Sequence, residues 1–230
     1  MESILRIGPF GLLDAIALAV TLAIWFGIGW LIEHPPARRP SVSLLMQEYR
    51  RQWMRQFVTR EPRIFDASVI DNLRQGTAFF ASASMIAIGG SLALLGNPSL
   101  VLGLARNLTL PTDATGLQVR IVLVTAFLSN ALLKFIWSNR LFGYCAIIMA
   151  AAPNDANDPL AYHRAAQAAE INITAAKSFN RGLHSIYFAL GSLAWLLGPY
   201  PLIAAAVVTA AILVRREFAS ASRQIMLDVV

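Results

Sequence analysis

Long apolar runs separated by short charged stretches set the pattern of this chain. Residues 10–32, FGLLDAIALAVTLAIWFGIGWLI, are almost wholly apolar and long enough to cross a bilayer with some tilt. Residues 76–96 and 119–139 repeat the pattern, and Gly182–Val214 forms a further apolar run cut by Gly198-Pro199-Tyr200-Pro201. That turn signal divides it into two short spans, 181–197 and 200–216. The expectation is an all-α polytopic protein with about five spans, or four if the last pair is re-entrant. The first run is read as a retained span, since it is too long for a signal-peptide core and no A-x-A site follows it.

Two polar segments join these spans. Loop 33–75 opens with Pro35, Pro36 and Pro40 and then turns amphipathic. On a helical wheel Val42, Leu45, Tyr49, Trp53 and Phe57 share an arc of about 120°, with Gln47, Glu48, Arg51 and Arg55 opposite and Arg50 on a flank. Such a helix lies in the headgroup plane or packs on the protein's own cytoplasmic surface. Pro62 breaks it, and Asp66, Asp71 and Arg74 form a charged collar before the second span. Loop 153–180 carries a second helix, with Asp158 as N-cap, Pro159 at the first helical position and an alanine-rich body.

Composition agrees with the pattern. The 230 residues are 57% hydrophobic and 14% charged, and a soluble domain would carry about 25% charged residues. The net charge of +6 clusters beside spans, which favours anionic lipid over nucleic acid as a partner. Loop 33–75 holds eight of the nineteen Lys and Arg residues, whereas loop 97–118 holds Arg106 alone. The positive-inside rule therefore places the N-terminus outside, the C-terminus in the cytoplasm and the chain in a bacterial inner membrane. The sequon at Asn107 then lies outside and is taken as chance.

Candidate chemistry is sparse. No Walker A loop, dinucleotide fingerprint, HExxH, CxxC or nucleophile elbow occurs. The single Cys145 forms no internal disulfide, and His34, His163 and His184 lack metal-ligand spacing. No enzyme, cofactor or metal is expected. Asp14 near the start of span one serves either the helix dipole or an ion path. Asn130, Lys134 and Trp137 fall on one helical face, where Lys134 lines an anion path, pairs with a carboxylate or snorkels to the interface. Ser82, Ser84, Gly89 and Gly90 make the second span a packing helix for the centre of a bundle or a subunit contact.

Several stretches taken together resemble the family of membrane proteins called Domain of Unknown Function 599. They are Arg50-Arg51-Gln52-Trp53-Met54, then Arg60, Arg63, Ile64 and Asp66, then Phe79-Phe80-Ala81-Ser82 and Gly89-Gly90. Lys134-Phe135-Ile136-Trp137-Ser138 with Arg140, and Phe179-Asn180-Arg181-Gly182-Leu183 with Tyr187-Phe188 and Trp195, complete the likeness over about 8–216. The resemblance implies an integral membrane protein of several spans and brings no activity with it. Under the topology above, Arg50, Arg51, Arg60, Arg63, Asp66, Arg140 and Arg181 gather at the cytoplasmic face. They make either a structural charge network or a site for anions or lipid headgroups. The leading functional expectation is a homo-oligomeric channel or transport protein favouring anions. The alternatives are an accessory subunit of a larger membrane complex and a lipid-headgroup-binding protein.

Overall fold

A computed structural model of the chain describes residues 10–97, 99, 103 and 114–227. Among them the structure is helical, with α1 (Leu12–Glu33), α2 (Val42–Thr59), α3 (Ile64–Leu95), α4 (Ala114–Ala150), α5 (Pro159–Ser192), α6 (Pro199–Phe218) and α7 (Ala221–Leu227). A short 3-10 turn, Leu193–Leu197, links α5 to α6. Three of these helices, α1, α3 and α4, are long and apolar enough to cross a membrane, which marks the chain as a membrane protein. Arg106 and the Asn107 sequon lie outside the described residues.

Two expected segments are parts of longer helices. The charged collar of Asp66, Asp71 and Arg74 lies on the first turns of α3, one helix of 32 residues that starts two residues after Pro62 and runs on through the second apolar run. Likewise the helix of loop 153–180 and the fourth span are one element. Asp158 caps it, its side chain accepting the Leu160 N–H at 2.8 Å, and no breaker follows until Gly198. There φ is +119°, a left-handed value that glycine adopts without a Cβ clash, and α6 begins at Pro199.

The third correction concerns the centre of the bundle. Helix α3 lies at its edge: Ser82, Gly89 and Gly90 are exposed, and a Cβ at either glycine would meet no atom within 4 Å. Ser84 is buried, but its hydroxyl donates to Phe80 O of its own helix at 2.8 Å. The central element is α5, whose small residues Ala161, Ala165, Ala168, Ala169, Ala175, Gly182, Ser185 and Ala189 are buried. Small side chains let it approach α4, α2, α6 and α1 closely.

Helices α4 and α5 meet through a tight contact. A Cβ on Gly182 would fall 2.6 Å from Phe135 Cε1, so the ring of the fully buried Phe135 rides directly over the α5 backbone. Phe80 and Phe179 flank Phe135 with ring centroids at 5.5 Å each. The Ser138 and Ser178 hydroxyls donate across the pair to Ala175 O and Lys134 O at 2.7 and 2.9 Å.

Contacts define two ends of the bundle. At one, Ser41 Oγ donates to Ile32 O at 2.8 Å, the Ser43 N–H to Glu217 at 2.9 Å, and Asn139 Nδ2 to Arg74 O at 3.0 Å. At the other, Trp195 Nε1 donates to Asp14 at 2.8 Å and Gln118 Nε2 to Leu95 O at 3.4 Å. Five helical segments run between these ends: α1, α3, α4, the second half of α5 with its 3-10 turn, and α6. Helices α4 and α5 continue past the first end, and α2 packs there, burying Met54, Phe57 and Val58 against Cys145, Met149, Ala165 and Ala169. The apolar face of α2 is thus covered by protein, and its inward face is centred on Met54 and Phe57 rather than on Leu45 and Tyr49. That rotation turns Arg50 inward.

Replacing Gly182 with valine should force Phe135 out of its rotamer and cost about 1–3 kcal/mol, the scale of overpacking a core. Gly89→Ala, in open space, should leave the thermal midpoint unchanged or raised. Thermal unfolding of both variants in one lipid environment checks the pair.

Candidate functional site

The motif arginines separate into three settings. Arg60 donates to Asp66 Oδ1 at 2.7 Å, and Trp53 Nε1 donates to the same oxygen at 2.6 Å. Asp66 is wholly buried, and its second oxygen has no hydrogen-bond partner among the described residues. Arg63 caps carbonyls instead, donating to Ala152 O at 3.1 Å, Val58 O at 3.0 Å and Pro153 O at 2.9 Å, with its guanidinium 4.5 Å from the Phe57 ring centroid. A cation suits these carbonyls, since two of them directly follow α4, where helix partial charge is negative. These residues lock α2 to the starts and ends of its neighbours.

Arg50 and Arg51 are adjacent and have opposite surroundings. Arg51 lies outside, its Nε donating to Glu170 at 2.8 Å, and that hydrogen bond raises its pKa above the ordinary value. Arg50 turns inward, where burial pulls its pKa down. Its hydrogen bond goes to Asn172 Oδ1, and among the described residues no carboxylate pairs with it. Asn172 is fully buried, and its amide reaches on to Cys145 Sγ at 3.6 Å, whose thiol donates to Ala168 O at 3.4 Å. This chain anchors one side of the guanidinium and leaves the rest of its donors for the cavity beside it.

That cavity, of about 380 Å³, lies between α2, α3, α5 and the end of α6. Arg50, Lys177 and Arg216 line it with Gln47, Asn72, Thr77 and Asn180, over an apolar floor of Val42, Met46, Leu73, Phe142 and Phe179. Glu217 supplies the one carboxylate, already engaged by the Ser43 N–H. Arg216 donates to the Tyr187 hydroxyl at 2.6 Å. Three cations around one occupied carboxylate give a cavity that favours an anion.

A second cavity of about 400 Å³ lies between α1, α4 and α5. Lys134 and Asn130 line it with Trp25, Trp30, Glu33, Arg181 and His184. Asn130 Nδ2 donates to Ser185 Oγ at 2.6 Å, and both oxygens of Glu33 accept from Arg181. Lys134 makes no ion pair among the described residues. Trp137 shares the helix but is 49% exposed and lies outside this cavity. Asp14 is far away, about 24 Å along α1 from Trp30. It closes the first turn, accepting the Gly11 N–H at 3.2 Å, and holds Trp195. Arg140 is exposed and donates to Tyr144 of its own helix, apart from the other arginines.

A family model described as "Protein of unknown function, DUF599" matches residues 16–222. The chain belongs to this family. No curated protein and no solved structure matches it. In this DUF599 chain the two cavities draw on the motif stretches, Arg50 from one, Asn180 and Arg181 from another and Lys134 from a third. Lys177, Arg216, Glu33 and Asn172 were not singled out by the sequence reading. A signal for Lys177 was present, since it lies three and four residues before Asn180 and Arg181 on the same face of α5. Among the described residues no group of three or more His, Cys, Asp or Glu gathers as a metal site would require.

Asp66→Asn should loosen α2, since it removes the charge that strengthens the hydrogen bonds from Arg60 and Trp53, on the scale of about 1.5–3 kcal/mol for a hydrogen bond to a charged group. Protease sensitivity of the segment around Arg60 and the thermal midpoint report it together.

Proposed function

We propose that this DUF599 protein crosses the inner membrane five times, N-terminus outside and C-terminus in the cytoplasm, and captures a phosphate-type oxyanion in the basic cavity. The cavity's charge carries the reading: Arg50, Lys177 and Arg216 face Glu217 alone. Guanidinium forks with amide donors suit a phosphate oxygen set, and the apolar floor suits the glycerol and acyl start of a lipid that carries one. The topology is supported by the five segments that run between the two ends, with the basic loop gathered at one of them. The role is binding and passage of an anion rather than bond-breaking chemistry.

Calorimetric titration of inorganic phosphate into the full chain in phosphatidylcholine nanodiscs tests capture, with phosphatidylglycerol retention in native mass spectrometry as the lipid arm. Arg50→Gln should weaken one or both by about tenfold or more, the scale of one charge-assisted hydrogen bond. Unchanged uptake of both would defeat the proposal.

A second reading, of a homo-oligomer, is favoured by the uncovered small residues of α3. Native mass spectrometry of nanodiscs taken directly from the membrane should show more than one copy, and Gly89→Leu should shift the distribution to single chains. A single chain bound to a different protein would instead make this an accessory subunit.

A further inference from the structure

The Lys134 cavity has a polar end and an apolar end. Glu33 and Arg181 lie where α1 finishes, beside the Ser41–Ile32 contact that marks one end of the bundle. The hydrogen bond from the Ser178 hydroxyl to Lys134 O sets Lys134 within one helical turn of Arg181. From Glu33 the wall of α1 runs inward for about 12 Å, through Trp30 and Phe26 to Trp25. Trp25 in turn meets the Phe127 ring of α4 edge-on, with centroids 5.2 Å apart. Phe26 and Trp30 line the cavity and are still 67% and 65% exposed, so it opens sideways on the apolar outer face of α1.

Two polar groups of this cavity have no protein partner for what they offer. Lys134 makes no ion pair among the described residues, because both oxygens of Glu33 accept from Arg181. His184 is only 8% exposed, and its ring enters no hydrogen bond among the described residues. A buried polar ring without a hydrogen bond is unfavourable, and a ligand oxygen in the cavity supplies one. With Glu33 and Arg181 cancelling each other, the charge that faces the cavity is one ammonium.

We propose that this cavity binds an amphiphile drawn from the bilayer, its singly charged anionic head on Lys134 and His184 and its tail along Phe26, Trp30 and Trp25. The head carries one charge because the cavity presents one. The order of groups along α1, polar at the end of the bundle and apolar inward, is the order of an amphiphile lying in a leaflet. About 400 Å³ with few polar groups on an apolar wall is the make-up of a small-molecule site. The site stands independently of the basic cavity, since no residue lines both. A fatty carboxylate and the phosphodiester head of a phospholipid share the required chemistry.

A photoreactive tail reads the site directly. The full chain in phosphatidylcholine nanodiscs is irradiated with palmitic acid that carries a mid-chain diazirine, and peptide mapping gives the yield on the segment holding Trp25 and Phe26. Unlabelled palmitate should displace the probe to saturation, whereas palmityl alcohol, the same tail without the charge, should not. Phosphatidylglycerol in the disc separates the sources: displacement by it as well assigns the site to phosphodiester heads, and displacement by palmitate alone assigns it to carboxylates. Lys134→Gln should lower the yield about tenfold or more, the scale of one charge-assisted hydrogen bond, and Lys134→Arg should keep most of it. His184→Phe, which retains a buried ring, should lower the yield about fivefold, the scale of one neutral hydrogen bond.

The thermal midpoint of each variant shows whether it is folded, and the competition on the native chain needs no variant. Equal displacement by palmityl alcohol, or none by palmitate and phosphatidylglycerol, would reduce the labelling to an ordinary lipid-facing surface and overturn the proposal. A native yield in folded Lys134→Gln would do the same, leaving Lys134 as a cation that snorkels to the interface.

Discussion

The seat of Phe135 over Gly182 is the contact on which the other parts depend. It brings α4 and α5 close enough for hydroxyl donors to cross between them, and it fixes the register of two helices that extend well beyond the bundle. The extension carries the platform on which α2 lies. The basic cavity is the space left between α2, α5 and the ends of α3 and α6, so its shape follows from that same register. A bulkier residue at 182 would disturb the core and the cavity together.

The arginines show how a chain so poor in acidic residues accommodates its charge. Arg63 uses carbonyls, Arg60 shares Asp66 with Trp53, Arg181 takes Glu33, and Arg51 takes Glu170 at the surface. A buried cation needs such acceptors because removing it from water costs several kcal/mol. Arg50 has a single neutral amide where Arg63 has three carbonyls, and that amide is fixed in turn by Cys145 and Ala168. The fold thus meets the geometric requirements of Arg50 while leaving its charge to be met from the cavity.

Much of this architecture was legible in the chain. The apolar runs, Asp158-Pro159 as a helix start and Gly198-Pro199 as a break are local signals with local causes, and each appears where the pattern put it. The continuity of the helices through 76 and through 181 was not legible, since polarity marks where a membrane surface lies and says nothing of whether a helix continues through it. Small residues were legible only in part. Gly89 and Gly90, read as positions for the centre of a bundle or for a subunit contact, face outward and are not at the centre, while the alanines of α5, read only as helix formers, pack there. The inward turn of Arg50 depended on a small rotation of α2, below what a helical wheel resolves. The cavities depend on tertiary contacts between segments up to 174 residues apart, such as Ser43 with Glu217, and no local pattern encodes those.

The reach of the α4–α5 pair has a mechanical meaning. At 37 residues α4 is about 55 Å long, and the residues after Asn139 carry it about 16 Å past the first end of the bundle. A rigid rod of that length held at the end of the bundle is a lever. Tilting it by about 5° would carry its tip sideways by about 1.5 Å, while the portion inside the bundle shifts far less near the fulcrum. Force applied to the cap of this molecule would therefore arrive at the end of the bundle as a small, geared-down displacement.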